Sequence, residues 1–357
     1  MKHKAWAAAA AGAALLATGG AALAQAAGPP PAPTGAACIP ESAKPAPFPA
    51  QNRVPEPRDL TFKAIPGVIA AGGAWTKVWQ QGGNSADGLM PDPSGGVLVA
   101  QEDYDTILRI SPDGKTSAAY TGIKGIGSMT MDRQGRLYAA HRTEHAESTK
   151  PDRDAILNAL TEVAPKKGLI TDKWDNGKAL TLRNNDIAVD GAGGLYVTGG
   201  CLYHATAKGV SVLADNLRTN GIVLSPDDKI LYVTNGPTVV AFDIAGPGRL
   251  TNRREFAKLE AGGNGDGLAV DTEGRLYVTS GPGVQVFDKA GKYLGLIPTP
   301  RGLITITLAG PGRSVLYVVG SGALDEAGKP IVEGPQHTAA TLYRTQLLSH
   351  GLPGRPK

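Results

Sequence analysis

Four residues with oxygen donors stand at one phase of a repeated phrase: Asp87, Asn185, Asn220 and Asp266. Two carboxylates and two amide carbonyls, brought together, make an oxygen-only set that suits Ca²⁺ and also accepts Mg²⁺, Mn²⁺ or Zn²⁺. Arg183, two residues before Asn185, adds a cation that can hold a substrate oxygen or a developing oxyanion; it reads equally well as a surface ion pair. Asp and Asn before Gly also favour turns, as in Asp87-Gly88, Asn220-Gly221 and Asp266-Gly267. Each residue alone therefore reads as structural. Four at the same repeat phase argue for one shared site.

The elements that must position them follow from the repeat. Residues 266–279 (DGLAVDTEGRLYVT) parallel residues 185–198 (NDIAVDGAGGLYVT) and 127–140 (GSMTMDRQGRLYAA). Residues 220–234 carry one extra position, residues 87–100 are a looser copy, and residues 305–318 are the sixth. Each copy is an apolar strand, an Asp-x-x-Gly type turn and a second apolar strand, often Leu-Tyr-Val, which is a β-hairpin. A further strand ending in Asp follows, as in Val240-Ala-Phe-Asp243, and then a Gly turn, as in Asp288-Lys-Ala-Gly291. One unit therefore holds about four strands.

Units starting near residues 87, 127, 185, 220, 266 and 305 predict an all-β fold, a six-bladed β-propeller with four-stranded antiparallel blades. In a propeller the first strand of each blade lines the channel, so residues at one phase converge there. Residues 340–344 are expected to close the ring against residues 75–78. Residues 150–164 break the pattern, and 154–162 read as a short helix or an irregular insertion.

The phrases Arg183-Asn-Asn-Asp-Ile187, Thr219-Asn-Gly-Ile222 and Gly265-Asp-Gly-Leu268 resemble motifs of the regucalcin (senescence marker protein)/gluconolactonase/LRE-like family, and the likeness runs from about residue 75 to 347. The resemblance implies one divalent metal in the channel, Ca²⁺ first among candidates, and hydrolysis of a sugar lactone or similar cyclic ester. It implies Asn220 and Asp266 as metal ligands, Asp266 also as proton acceptor, and Arg183 and Asn185 in a substrate and metal segment. The chain departs from the family pattern in three places. Asp87-Gly-Leu stands where the family has Glu-Gly-Pro, and Asp reaches one methylene less far. Val197-Thr-Gly-Gly200 replaces a Phe-Thr-Asp type ending. Tyr203 and His204 stand where some members place an acid that touches substrate, so Tyr203 joins the candidate substrate contacts. His141 also joins them, because His141, Arg142 and His145 follow the second strand of a unit where relatives carry polar channel-facing groups; the alternative is an exposed loop.

The N-terminus reads as an export signal. Lys2, His3 and Lys4 precede an Ala/Leu-rich run to about Leu23, and Ala22-Leu23-Ala24 offers small residues for cleavage. The expected organisation is 1–24 signal peptide, 25–58 Pro/Ala-rich arm, 59–347 propeller and 348–357 C-terminal tail. The expected location is periplasmic or secreted, with no membrane span in the mature chain, since no other stretch approaches ~20 apolar residues. Without Lys2 and Lys4 the chain has 34 basic against 32 acidic residues. That balance gives no argument for nucleic acid. A small-molecule substrate and a monomeric state are expected. Cys38 and Cys201 would meet an oxidising compartment; they either form a disulfide tying the arm to the propeller or remain thiols. No phosphate loop, Gly-x-Ser-x-Gly elbow or Cys/His zinc spacing occurs. Besides a metal-dependent lactone hydrolase, the sequence admits a non-catalytic, metal-stabilised propeller that binds a ligand or protein partner in the cell envelope.

Overall fold

Short apolar runs broken by Gly, Asp and Asn favour pleated strands and tight reversals, and that is what the chain forms. The computed structural model describes residues 58–81, 86–142, 158–329, 331 and 340–354. The expected signal segment, nearly all of the arm, Cys38 and His145 lie outside the described residues.

Strand β1 (Thr76–Gln81) comes first. One sheet holds β2 (Leu89–Pro91), β3 (Val97–Gln101), β4 (Thr106–Ile110) and β5 (Thr116–Thr121). The next holds β6 (Ile126–Met131), β7 (Leu137–His141), β8 (Ala159–Ala164) and β9 (Gly168–Thr171). A six-stranded sheet follows, with β10 (Ile187–Val189), β11 (Leu195–Thr206), β12 (Gly209–Leu224), β13 (Ile230–Asn235), β14 (Thr238–Gly246) and β15 (Arg249–Lys258). Strands β16 (Leu268–Val270), β17 (Leu276–Thr279), β18 (Gly283–Phe287) and β19 (Tyr293–Pro298) form another four-stranded sheet. The last contains β20 (Leu303–Ala309), β21 (Val315–Ser321), β22 (Ala340–Gln346) and the returning β1. Among the described residues the only helical segments are single 3₁₀ turns at Glu102–Tyr104 and Pro311–Arg313.

Strand β22 pairs with β1 from Thr76 opposite Arg344 to Gln81 opposite Ala340, so the two ends of the described chain close one sheet. Residues 159–164 are strand β8, paired antiparallel to β7, so over 159–162 the chain is neither the helix nor the irregular insertion expected for 154–162; residues 154–157 lie outside the described residues. Leu160 and Val163 are buried there, and sheet pairing overrides the local helical propensity.

Two strands of the large sheet are bent. A Cβ on Gly194 would lie 2.8 Å from the Ala205 carbonyl oxygen. Eleven residues of straight strand would span about 36 Å, so β11 doubles back, and Gly200 supplies the positive φ of 85° for the reversal. In β12, residues 209–214 pair with β11, while residues 222–224 pair with β13. Asn216, at φ 52°, lies between the two parts.

The innermost strands β2, β6, β10, β12, β16 and β20 touch in that order, and β20 returns to β2. The sheets therefore stand radially about a central channel, which is a β-propeller. The tyrosine of the Leu-Tyr-Val phrase fills the space between sheets: Tyr196, Tyr277 and Tyr317 are all fully buried. Each such burial contributes on the order of 2 kcal/mol.

Candidate functional site at the heads of the inner strands

The backbone shows that Asp87, Asn185 and Asp266 occupy equivalent places. Asn185 N–H donates to the Thr198 carbonyl at 2.8 Å, and Asp266 N–H donates to the Thr279 carbonyl at 3.0 Å. One residue on, the carbonyls of Gly88, Asp186 and Gly267 accept from Ala100, Thr198 and Thr279. Asp87, Asn185 and Asp266 each lie two residues before the inner strands β2, β10 and β16, and Asn220 sits at the head of the second part of β12.

The glycines after these residues serve close packing. Gly88, Gly221 and Gly267 are absent from the positive-φ residues. A Cβ on Gly221 would collide with the Asp266 carbonyl oxygen. One on Gly267 would lie 2.8 Å from Thr305 Cα, and one on Gly88 3.0 Å from Ser128 Cα. Neighbouring inner strands thus touch backbone to backbone at this level. That contact brings the heads of the strands to one mouth of the channel.

Asn185 is buried, and Asn220 and Asp266 are half-buried. The side chains of Asn185 and Asn220 make no hydrogen bond among the described residues. Asp87 is held on one side only: its Oδ2 accepts from Arg142 Nη2 at 2.6 Å. The Nε of Arg142 donates to Glu102 Oε2 at 2.9 Å. Burial opposes charge on Arg142, but Asp87 and Glu102 outweigh it and raise its pKa, keeping the guanidinium protonated. Gly127, the repeat-phase residue of the β6–β9 sheet, lies beneath this guanidinium; a Cβ there would meet Arg142 Nε at 2.5 Å.

Sequence reasoning missed Glu102 altogether and noted Arg142 only beside two histidines. A signal existed for the second: Gly127 is the one repeat head with no side chain, which leaves room for a group from elsewhere.

The remaining candidates are placed differently. His141 is buried, with Nδ1 2.6 Å from the Lys124 carbonyl and Nε2 2.8 Å from Thr161 Oγ1. Burial lowers its pKa, against the Lys124 carbonyl contact, which raises it. One ring nitrogen thus meets the loop before β6 and the other β8, and the structure does not bring His141 to the set. Nor does it bring Tyr203, which is buried with its ring 5.8 Å from Trp174 and its hydroxyl donating to the Gly199 carbonyl at 3.4 Å. Arg183 is half-buried beside the Asn184-Asn185 segment. Cys201 is fully buried and disulfide-bonded.

Among the described residues no three His, Cys, Asp or Glu side chains group as a metal site. The mouth offers instead two carboxylates and two amides. That donor chemistry fits a hard divalent cation, and Asp87, with Oδ1 outside the Arg142 contact, retains an oxygen for one. Asp87, Asn185, Asn220 and Asp266 would hold it.

Radial antiparallel sheets with an oxygen-rich channel mouth define a β-propeller with a polar axial site. The model of the SMP-30/Gluconolactonase/LRE-like region matches residues 122–322, more than half of the chain. The chain belongs to this family. Solved structures agree on the fold. A gluconolactonase from Xanthomonas campestris superposes with a TM-score of 0.62 at 22% identity, covering 82% of this chain and 95% of that one. A calcium-binding protein from Agrobacterium tumefaciens, regucalcin, gives 0.59 at 18% identity, covering 80% and 97%. A luciferin-regenerating enzyme gives 0.59 at 19%, covering 79% and 98%. Among the described residues no helix is long and apolar enough to cross a membrane.

Proposed function

We propose that this protein is an exported, divalent-metal-dependent hydrolase of a lactone, a sugar lactone or a similar cyclic ester. The observation that carries the reading is that Asn185 and Asp266 make matching backbone hydrogen bonds at the heads of two inner strands, in a chain of the gluconolactonase family. The cation, Ca²⁺ before Mg²⁺, Mn²⁺ or Zn²⁺, would supply Lewis acidity toward the ester carbonyl when bound. Asp266 takes the proton of the attacking water. Arg183 faces the oxygen on which negative charge develops, and Asn185 orients the substrate.

Six blades are part of this reading. The hairpin within β11 and the change of partner along β12 divide the large sheet into two four-stranded units, which together with the other four sheets make six. Export rests on the basic, apolar and small-residue order of residues 1–24. A Cys38–Cys201 disulfide is proposed because Cys201 is bonded and the chain has two cysteines.

The test is hydrolysis of a panel of small lactones by the protein lacking residues 1–24, before and after chelation, with each of the four metals returned. Loss on chelation and recovery with one metal is the expected result. A second reading, a non-catalytic propeller binding a ligand or partner, is favoured by the hold of Arg142 on Asp87 and by the internal placement of His141 and Tyr203. Metal that raises the melting temperature without turnover of any lactone would establish it in place of the first.

A further inference from the structure

Asp87 is held by a charge. The guanidinium of Arg142 lies on Gly127 and reaches Asp87 with Nη2 at 2.6 Å and Glu102 with Nε at 2.9 Å. Side-chain exposure falls from 15% at Asp87 to 4% at Arg142 and 0% at Glu102. Asp87 is therefore the member that faces open space, and Glu102 is the buried anchor.

The charges decide what this row can do. Arg142 alone would cancel Asp87 and set a positive group beside any incoming cation, which Coulomb repulsion opposes. With Glu102 behind it, Arg142 is neutralised within the wall, and the row of three keeps one net negative charge. A guanidinium also fixes its acceptors in direction as well as distance. Asp87 Oδ2 is thereby committed to the wall, and Oδ1 is the oxygen left for the channel.

We propose that Arg142 and Glu102 are positioning residues for cation binding: Arg142 orients Asp87 as a one-oxygen ligand, and the buried charge of Glu102 keeps that ligand negative toward the channel. This rests on the reading that the channel mouth binds a divalent cation. Neither residue touches the cation or the substrate.

The test is calorimetric titration of Ca²⁺ into wild-type protein and Glu102→Gln, with melting temperatures measured in parallel. Gln keeps the shape and an acceptor for Arg142 Nε, and removes only the charge. Ca²⁺ binding should weaken at least tenfold, and the Ca²⁺-induced rise in melting temperature should shrink with it. Equal or tighter Ca²⁺ binding by Glu102→Gln overturns the proposal while leaving the channel site standing. Wild-type protein that binds no Ca²⁺ removes the cation reading itself, and this proposal with it. Should Glu102→Gln fail to fold, Arg142→Lys serves instead. Its ammonium keeps the charge but cannot hold both carboxylates from two edges, so Ca²⁺ affinity should again fall, and an unchanged affinity contradicts the proposal.

Discussion

The two ends of the inner strands carry the same residue types and treat them in opposite ways. At the turn end, each carboxylate is saturated. Asp271 accepts from Glu273 N–H, Arg275 N–H, Arg275 Nε and the Tyr277 hydroxyl, at 2.6–3.0 Å. Asp132 repeats the arrangement with Gln134, Arg136 and Tyr138; burial first, and then the Asp132 charge, raise the Tyr138 pKa to about 12. Asp190 uses Ala192, Gly194 and His204 for the same purpose. At the mouth end, Asp87 has one partner side chain, and Asn185 and Asn220 have none among the described residues. The amides of Asn185 and Asn220 thus remain open to a group that arrives, whereas the turn-end carboxylates are already in use. The comparison teaches that the role of an Asp in a repeat is read from what already satisfies it.

Three substitutions sharpen that contrast, beginning with the largest effect. Asp271→Ala strips a fully buried carboxylate from Arg275 and from the Tyr277 hydroxyl and leaves the guanidinium only the exposed Glu273, which should cost about 3–5 kcal/mol. Urea unfolding measures this, and a loss below about 1 kcal/mol would break the claim that the turn end is the structural one.

The second effect depends on pH. Burial raises the Asp190 pKa, but its bonds to His204, Ala192 and Gly194 lower it further, so the folded value lies below the ordinary one. A carboxyl depressed in this way adds stability above the unfolded pKa, near 4, and loses it as the pH falls through the lower folded value. The gap in urea midpoint between wild type and Asp190→Asn should therefore shrink from about pH 5 to pH 3. A gap that stays constant would contradict the assignment.

The smallest change is expected for Tyr203→Phe. The ring packs beside Trp174 and the hydroxyl donates to the Gly199 carbonyl inside the fold, so kcat/KM should stay within about twofold and stability within about 1 kcal/mol. A tenfold drop in kcat/KM would return Tyr203 to the substrate site.

The repeat made the hairpins legible, because Asp-x-x-Gly turns and Leu-Tyr-Val strands announce themselves locally. The oxygen set was legible for the same reason, through its constant phase. What did not show was long-range. Glu102 meets Arg142 across 40 residues of chain and two sheets, and no spacing rule encodes that pairing. The glycines after the site residues looked like turn formers, yet their reason is backbone contact between neighbouring strands, visible only once the ring is closed. Strand β8 was hidden because its sequence carries a helical pattern that sheet pairing overrules. His141 looked available because polar residues follow β7, while both its partners lie outside the local sequence.

The most direct measurement is lactone turnover by Asp266→Asn, with its melting temperature taken on the same preparation. Asp266 should contribute as a proton acceptor and a cation ligand, so turnover should fall by a factor on the order of 10² or more, with the melting temperature within a few degrees of wild type. Wild-type turnover in Asp266→Asn would contradict the placement of the chemistry at the heads of the inner strands.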